Sequence, residues 1–282
     1  CGVWRPRNSP EKYVGPLRVR LALAQSKNVV AVRLLKNIGV TKTINHLTAF
    51  GFSANDLPRS ETLALGSASL TPLEVATGFA TFANGGFLVQ PYLIERIENS
   101  DGEVIFQAAP ALACDPCIEK YELKNSEQDI SSISTIPESD MEFDFGQLST
   151  SLDEPTADIK QAKRVISPQN AFLITHALNS AIWGSDWSTK PGWQGTGWRA
   201  RTLKRRDIAG KTGTTNEAKD AWFSGFSRRL ITTSWIGFDD PSHKLGQSVY
   251  NINLGKNQTT GKEFGAKSAQ PAWIDFMRVA LA

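Results

Sequence analysis

Two short groups of residues carry the side chains needed to work on an amide bond. The first is Ser26-Lys27-Asn28, between two stretches of helical spacing, and the second is Lys211-Thr212-Gly213-Thr214-Thr215, in a β-type run. Attack by a serine on an amide carbonyl needs a proton carrier, a donor for the substrate amide and a cation for its anionic end. A hydroxyl and a carboxamide two residues apart supply the first two from one turn. A lysine on a strand supplies a positive field, which counts for far more in a dry cleft than in water. Gly213 would let a substrate backbone approach the strand, because a Cβ there would obstruct it. Thr212 and Thr214 flank it with the period of a strand, so their hydroxyls share one face and suit a carboxylate. Neither group is decisive alone. Ser26 and Asn28 also suit an N-cap between helices, and Lys211-Thr212-Gly213 also suits an edge strand with a bulge at the glycine.

The elements that must position these groups are legible in outline. Residues 17–24 and 29–38 have helical periodicity, with Gly39 as a C′ residue. Thr41 is expected to cap a short helix through Ile44, Leu47 and Phe50. Thr71-Pro72-Leu73-Glu74 combines a capping threonine, an N1 proline and an N3 glutamate, so a helix is expected to run from there to Asn84-Gly85-Gly86. Strands are expected at 87–89, 93–97 and 104–106, the last after the turn Asn99-Ser100-Asp101-Gly102. Ser167-Pro168 opens another helix. Three strands follow at 207–214, 221–226 and 230–238, the last two joined as a hairpin, and a closing helix is expected over 268–280. Helices first and an antiparallel meander later indicate an α+β fold, a mainly antiparallel sheet with flanking helices.

Composition narrows the class. The chain has 282 residues, 40% hydrophobic and 21% charged, which excludes a disordered, collagen-like or disulfide-dense mini-protein. No run approaches the ~18 consecutive apolar residues of a spanning helix, and no secretory leader is visible. With Cys1 and not Met at its start, the sequence reads as a piece of something longer. The net charge is +3, but residues 111–165 hold 12 acidic and 5 basic side chains, leaving 26 basic and 16 acidic elsewhere, or +10. A basic body with an acidic insert suits an anionic ligand or surface nearby, or is simply a solvated exterior. Nucleic-acid recognition is not indicated, because Lys204-Arg205-Arg206 stands alone without interleaved aromatics. Cys114-x-x-Cys117 lacks the further ligands of a zinc site, the histidines being scattered, which leaves a local disulfide or two idle thiols. No metal or cofactor is implied.

Taken together the motifs resemble the C-terminal part of the transpeptidase domain of class A penicillin-binding proteins. Carrying the resemblance are Gln25-Ser26-Lys27-Asn28-Val29-Val30, Leu63-Ala64-Leu65-Gly66-Ser67, Thr71-Pro72 and Phe82-Ala83-Asn84-Gly85-Gly86. Gly192-Trp193-Gln194-Gly195-Thr196-Gly197-Trp198-Arg199-Ala200 continues it, and Gly210-Lys211-Thr212-Gly213-Thr214-Thr215-Asn216 is the strongest segment, running into Lys219-Asp220-Ala221-Trp222-Phe223-Ser224-Gly225. The resemblance implies the penicillin-recognising, β-lactamase-like serine transpeptidase fold, incomplete at the N-terminus. It implies one partial transpeptidase domain over 1–282, interrupted by an acidic, mobile insert at about 108–165. It implies a D,D-transpeptidase, part of a bifunctional peptidoglycan synthase that cross-links stem peptides through an acyl-serine and binds β-lactams. Partners would be the D-Ala-D-Ala donor stem, an amine acceptor and β-lactam antibiotics, at the periplasmic face of the bacterial inner membrane through an anchor not in this chain. By the same resemblance Ser26 joins the proton relay, Asn28 orients the substrate amide and Lys211 supplies the field. Thr212 and Thr214 bind the terminal carboxylate beside Gly213 and Thr215, and the Thr214 N–H is half of an oxyanion hole.

One departure stands against this. The family's nucleophile lies in a Ser-x-x-Lys motif at a helix start, whereas the single such string here is Ser9-Pro10-Glu11-Lys12, followed by Tyr13-Val14-Gly15-Pro16. Proline after the serine and Gly-Pro soon after argue for a loop, so the nucleophile is expected to be absent and the chain inactive alone. The alternatives are a hydrolase of the D,D-carboxypeptidase or β-lactamase type and a non-catalytic binding fragment.

Overall fold

The structure is a computed structural model; it describes residues 4–114, 160–184, 194–240, 242–246 and 263–282. The chain divides into two compact units. One comprises Cys1–Leu88 with Arg164–Ala282, and the other is Val89–Lys163. Most of the acidic segment expected to be a mobile insert, including Cys117, lies outside the described residues.

In the larger unit, α1 (Val19–Ala24), α2 (Asn28–Ile38) and α3 (Val40–Thr48) follow in quick succession. Gly39, at φ 95°, joins the last two directly, and Thr43 donates from both its N–H and its hydroxyl to the Gly39 carbonyl. Thr41 therefore lies inside α3 and does not cap it. The helix starts at Val40 because glycine alone makes the reversal. Helix α4 (Pro72–Ala83) has the expected reciprocal cap, the Thr71 hydroxyl accepting from Glu74 N while the Glu74 carboxylate accepts from Thr71 N. The Glu74 carboxyl is held below its ordinary value by those hydrogen bonds from Thr71. Two-residue strands β1 (Phe87–Leu88) and β4 (Lys163–Arg164) stand where the chain leaves and re-enters this unit. Helix α5 (Pro168–Trp183) is capped by Ser167, whose hydroxyl accepts from Asn170 N.

The sheet is β5 (Ala209–Thr214), β6 (Ala221–Phe226) and β7 (Ile231–Ile236), antiparallel in that order, with Lys211 opposite Ser224 and Gly213 opposite Trp222. β5 starts two residues later than its sequence pattern indicates, because residues 206–207 form a turn and the pairing with β6 begins at Ala209, opposite Phe226. Helix α6 (Gly265–Ala280) closes the fold and starts earlier than expected, carrying Pro271 in its interior. Its Trp273 is fully buried, lies 4.8 Å from the Phe223 ring centroid and donates to the carbonyls of Gly225 and Thr232. Phe223, Ile182, Ile208 and Met277 complete this core, each large side chain contributing about 1.5–3 kcal/mol by leaving water. The core thus bolts α5 and α6 to β6, the strand paired with the one that carries Lys211.

In the smaller unit β2 (Arg96–Glu98) and β3 (Val104–Gln107) form an antiparallel hairpin with Ile97 opposite Phe106. The turn matches its sequence: Asn99 Oδ1 accepts from the N–H groups of Asp101 and Glu103, and Gly102 takes φ 82°. Cys114 is disulfide-bonded, which excludes the idle-thiol alternative for that residue. Among the described residues, no helix is long and apolar enough to cross a membrane.

Candidate active site

The turn between α1 and α2 is built by a helix stop. Ser26 N donates to Leu23 O and Lys27 N to Ala22 O, the paired bonds of a Schellman motif, with Ser26 in the left-handed position at φ 55°. Glycine is usual there, and an L-residue in that conformation costs about 1–2 kcal/mol. Ser26 is therefore a C′ residue and not an N-cap; α2 receives no side-chain cap from the turn. Instead Asn8 Oδ1 accepts from Val29 N at 3.2 Å. The geometry turns the Ser26 hydroxyl away from the backbone groups a cap would serve.

That hydroxyl meets Lys211. Lys211 Nζ donates to Ser26 Oγ at 2.8 Å and to the Thr212 carbonyl at 2.8 Å, across 185 positions of sequence. Burial lowers the Lys211 pKa from 10.5 to about 8, since the ammonium loses hydration that two neutral oxygens only partly replace. Thr212 Oγ1 donates to Thr196 Oγ1 at 2.7 Å. Thr196 is held in turn by its own N–H to Ala24 O at 3.0 Å, at the end of α1. Gly195 and Gly197 allow this loop to lie against α5: a Cβ on Gly195 would stand 2.1 Å from the Ala181 carbonyl oxygen. Gly197 N donates to Ala181 O, and the buried Gln270 amide of α6 donates to Gly197 O.

The structure thus brings Ser26, Lys211, Thr212 and Thr196 into one chain of contacts. The other residues singled out by sequence face elsewhere. Asn28 Nδ2 donates to Arg7 O at 2.9 Å, toward the preceding segment. Gly213 sits beside the neighbouring strand, where a Cβ would meet the Trp222 Cβ at 3.0 Å. Thr214 Oγ1 accepts from Gly265 N at the start of α6, and Thr215 Oγ1 accepts from Asp220 N at 2.7 Å, closing the turn into β6. Thr196 was not singled out by sequence. Its only signal is its place between two glycines in the Gly-Trp-rich loop, which reports close packing but not the contact with Thr212. Ser9-Pro10-Glu11-Lys12 lies in extended and bent backbone outside any helix.

A desolvated lysine bound to a serine hydroxyl, on a strand whose next residue offers a second hydroxyl, has the chemistry to move a proton and to hold an anion. With the α+β fold around it, the pair places the chain in the penicillin-recognising class of serine acyltransferases. The family described as penicillin binding protein transpeptidase domain matches residues 2–239, and this chain belongs to it. Penicillin-binding protein 1A of Vibrio cholerae serotype O1 is 46% identical over 280 residues, 99% of this chain and 30% of that protein. Penicillin-binding protein 1A of Escherichia coli K12 is 45% identical, over 99% of this chain and 33% of its own. The crystal structure of penicillin-binding protein 1A from Haemophilus influenzae superposes with a TM-score of 0.77 at 41% identity, covering 99% of this chain and 36% of that one. The D,D-transpeptidase domain of a peptidoglycan glycosyltransferase from Eggerthella lenta, at 19% identity and a TM-score of 0.58, shares the fold. The chain spans about a third of the length of the relatives it matches.

Proposed function

We propose that this chain is the C-terminal part of the D,D-transpeptidase half of a bifunctional peptidoglycan synthase. In this reading a serine of a Ser-x-x-Lys motif outside these 282 residues attacks the penultimate D-Ala carbonyl of a stem peptide. The C–N bond to the terminal D-Ala breaks, that amine takes up a proton, and an acyl-serine remains. An amine on a second stem then displaces the serine and completes the cross-link. Ser26 and Lys211 hold and pass the proton, the Lys211 charge and the Thr212 hydroxyl receive the terminal carboxylate, and Asn28 turns toward the substrate amide once a ligand is bound. β-Lactams enter as mimics of the donor and acylate the same serine. The enzyme would work at the periplasmic face of the inner membrane, anchored through sequence outside this chain.

The observation that carries this reading is the 2.8 Å bond between Lys211 Nζ and Ser26 Oγ, which joins the two motifs in one site. The test is labelling with a fluorescent penicillin. No covalent label is expected on the 282-residue chain alone, and labelling is expected once the upstream sequence is restored. Label at Ser9 of the bare chain would defeat the proposal.

A further inference from the structure

We infer that the cleft between residues 12–17 and α2 is a second binding site beside the Ser26 turn, built to take the carboxylate-bearing part of a peptidoglycan stem peptide. The cleft holds about 650 Å³, with Lys12, Tyr13 and Val14 on one wall and Lys27, Val30 and Arg33 on the other. That volume falls within the ~300–1,000 Å³ typical of ligand sites.

Its charge is one-sided. Three cations line it and no carboxylate does. Among the described residues none of the three forms an ion pair, whereas the nearby Arg7 is matched by Glu11. Cations gathered around a concave surface without counter-charge focus a field that attracts anions and repels other cations. The floor is apolar, and Tyr13 and Val14 remain 57% and 59% exposed, surface that a bound ligand would cover. An acidic chain with short apolar side groups satisfies both features. A single-stranded polynucleotide does not, because one tyrosine offers no run of stacking platforms.

The position gives the cleft its use. Lys27 lies in its lining and directly follows Ser26, so the cleft borders the turn that carries the Ser26–Lys211 pair. The inference rests on the transpeptidase reading only for the identity of the peptide as a stem; the preference for acidic peptide is tested separately.

The experiment uses the protein with its upstream sequence present. Calorimetry compares a synthetic pentapeptide bearing two side-chain carboxylates and a D-Ala-D-Ala end with the same peptide carrying side-chain amides. The wild type is expected to prefer the acidic form by about tenfold, with the preference shrinking as salt is raised. The Lys12→Glu/Arg33→Glu pair should abolish it, and the milder Lys12→Ala/Arg33→Ala pair should reduce it, with penicillin acylation unchanged in both. Equal affinity for the two peptides in the wild type, a preference that survives charge reversal, or no binding of either peptide (the result if another part of the protein fills the cleft) each overturns the inference. Failure of penicillin to acylate the wild type would instead strike at the transpeptidase reading and leave the peptide comparison to decide the cleft.

Discussion

Thr212 Oγ1 donates to Thr196 Oγ1 at 2.7 Å, tying the lysine-bearing strand to a loop that itself hangs on the end of α1. This bond links the two motif-bearing elements by a route separate from Lys211. Thr196→Val keeps the shape and removes the acceptor, leaving a half-buried hydroxyl donor unserved at a cost of about 1 kcal/mol. With the nucleophile present, penicillin acylation should slow by about three- to tenfold, the loss to be largely restored by Thr196→Ser. Stopped-flow acylation kinetics test this, and an unchanged rate in Thr196→Val would show the contact to be structural only.

Lys211→Ala removes the cation that donates to Ser26. In the enzyme with its nucleophile, acylation should fall by about 10²–10³, the usual loss for one electrostatic contact aimed at developing charge. A variant that acylates at the wild-type rate would take β5 out of the active site. Lys211→Arg should rescue little, because a planar guanidinium cannot repeat the compact ammonium's paired contacts to Ser26 and the Thr212 carbonyl.

How far the sequence reached depends on how local each determinant is. The α4 cap was legible because Thr71, Pro72 and Glu74 settle it within four residues, and the β2–β3 turn because Asn99 serves N–H groups two and four positions on. The order of β5, β6 and β7 was readable from short connections. Ser26 was harder: a serine between helices looks like an N-cap, and only the Ala22 and Leu23 carbonyls reveal it as a left-handed stop. The start of α6 was obscured by Pro271, which local rules place at the margin of a helix and not inside one. Thr196, and the direction of the Asn28 amide toward Arg7, depend on tertiary neighbours that no local pattern encodes.

Deleting 111–160 should leave penicillin acylation within about twofold of the undeleted enzyme, since the segment is acidic, serine-rich and without hydrophobic periodicity, the composition of an excursion from a core and not of a part of it. The deletion removes Cys114 with its disulfide. Loss of acylation in a deleted protein that still melts cooperatively would give the acidic segment a part in the site.

The depressed pKa of Lys211 also fixes a pH dependence of stability. A lysine at about 8 in the folded chain and near 10.5 unfolded binds fewer protons when folded throughout the interval between those values. Below about pH 8 both states carry the charge, and the cost of burying the ammonium is fully present; as pH rises through 8 toward 10.5 the folded state is relieved of it. Lys211→Met, which fills the same space without charge, should therefore be more stable than wild type at pH 7, and the advantage should shrink to nothing near pH 10.5. Urea unfolding of both proteins at pH 7, 8.5 and 10 measures this directly. A constant difference across the series would mean that Lys211 titrates as an ordinary solvated lysine, and that its contact with Ser26 is made without desolvation.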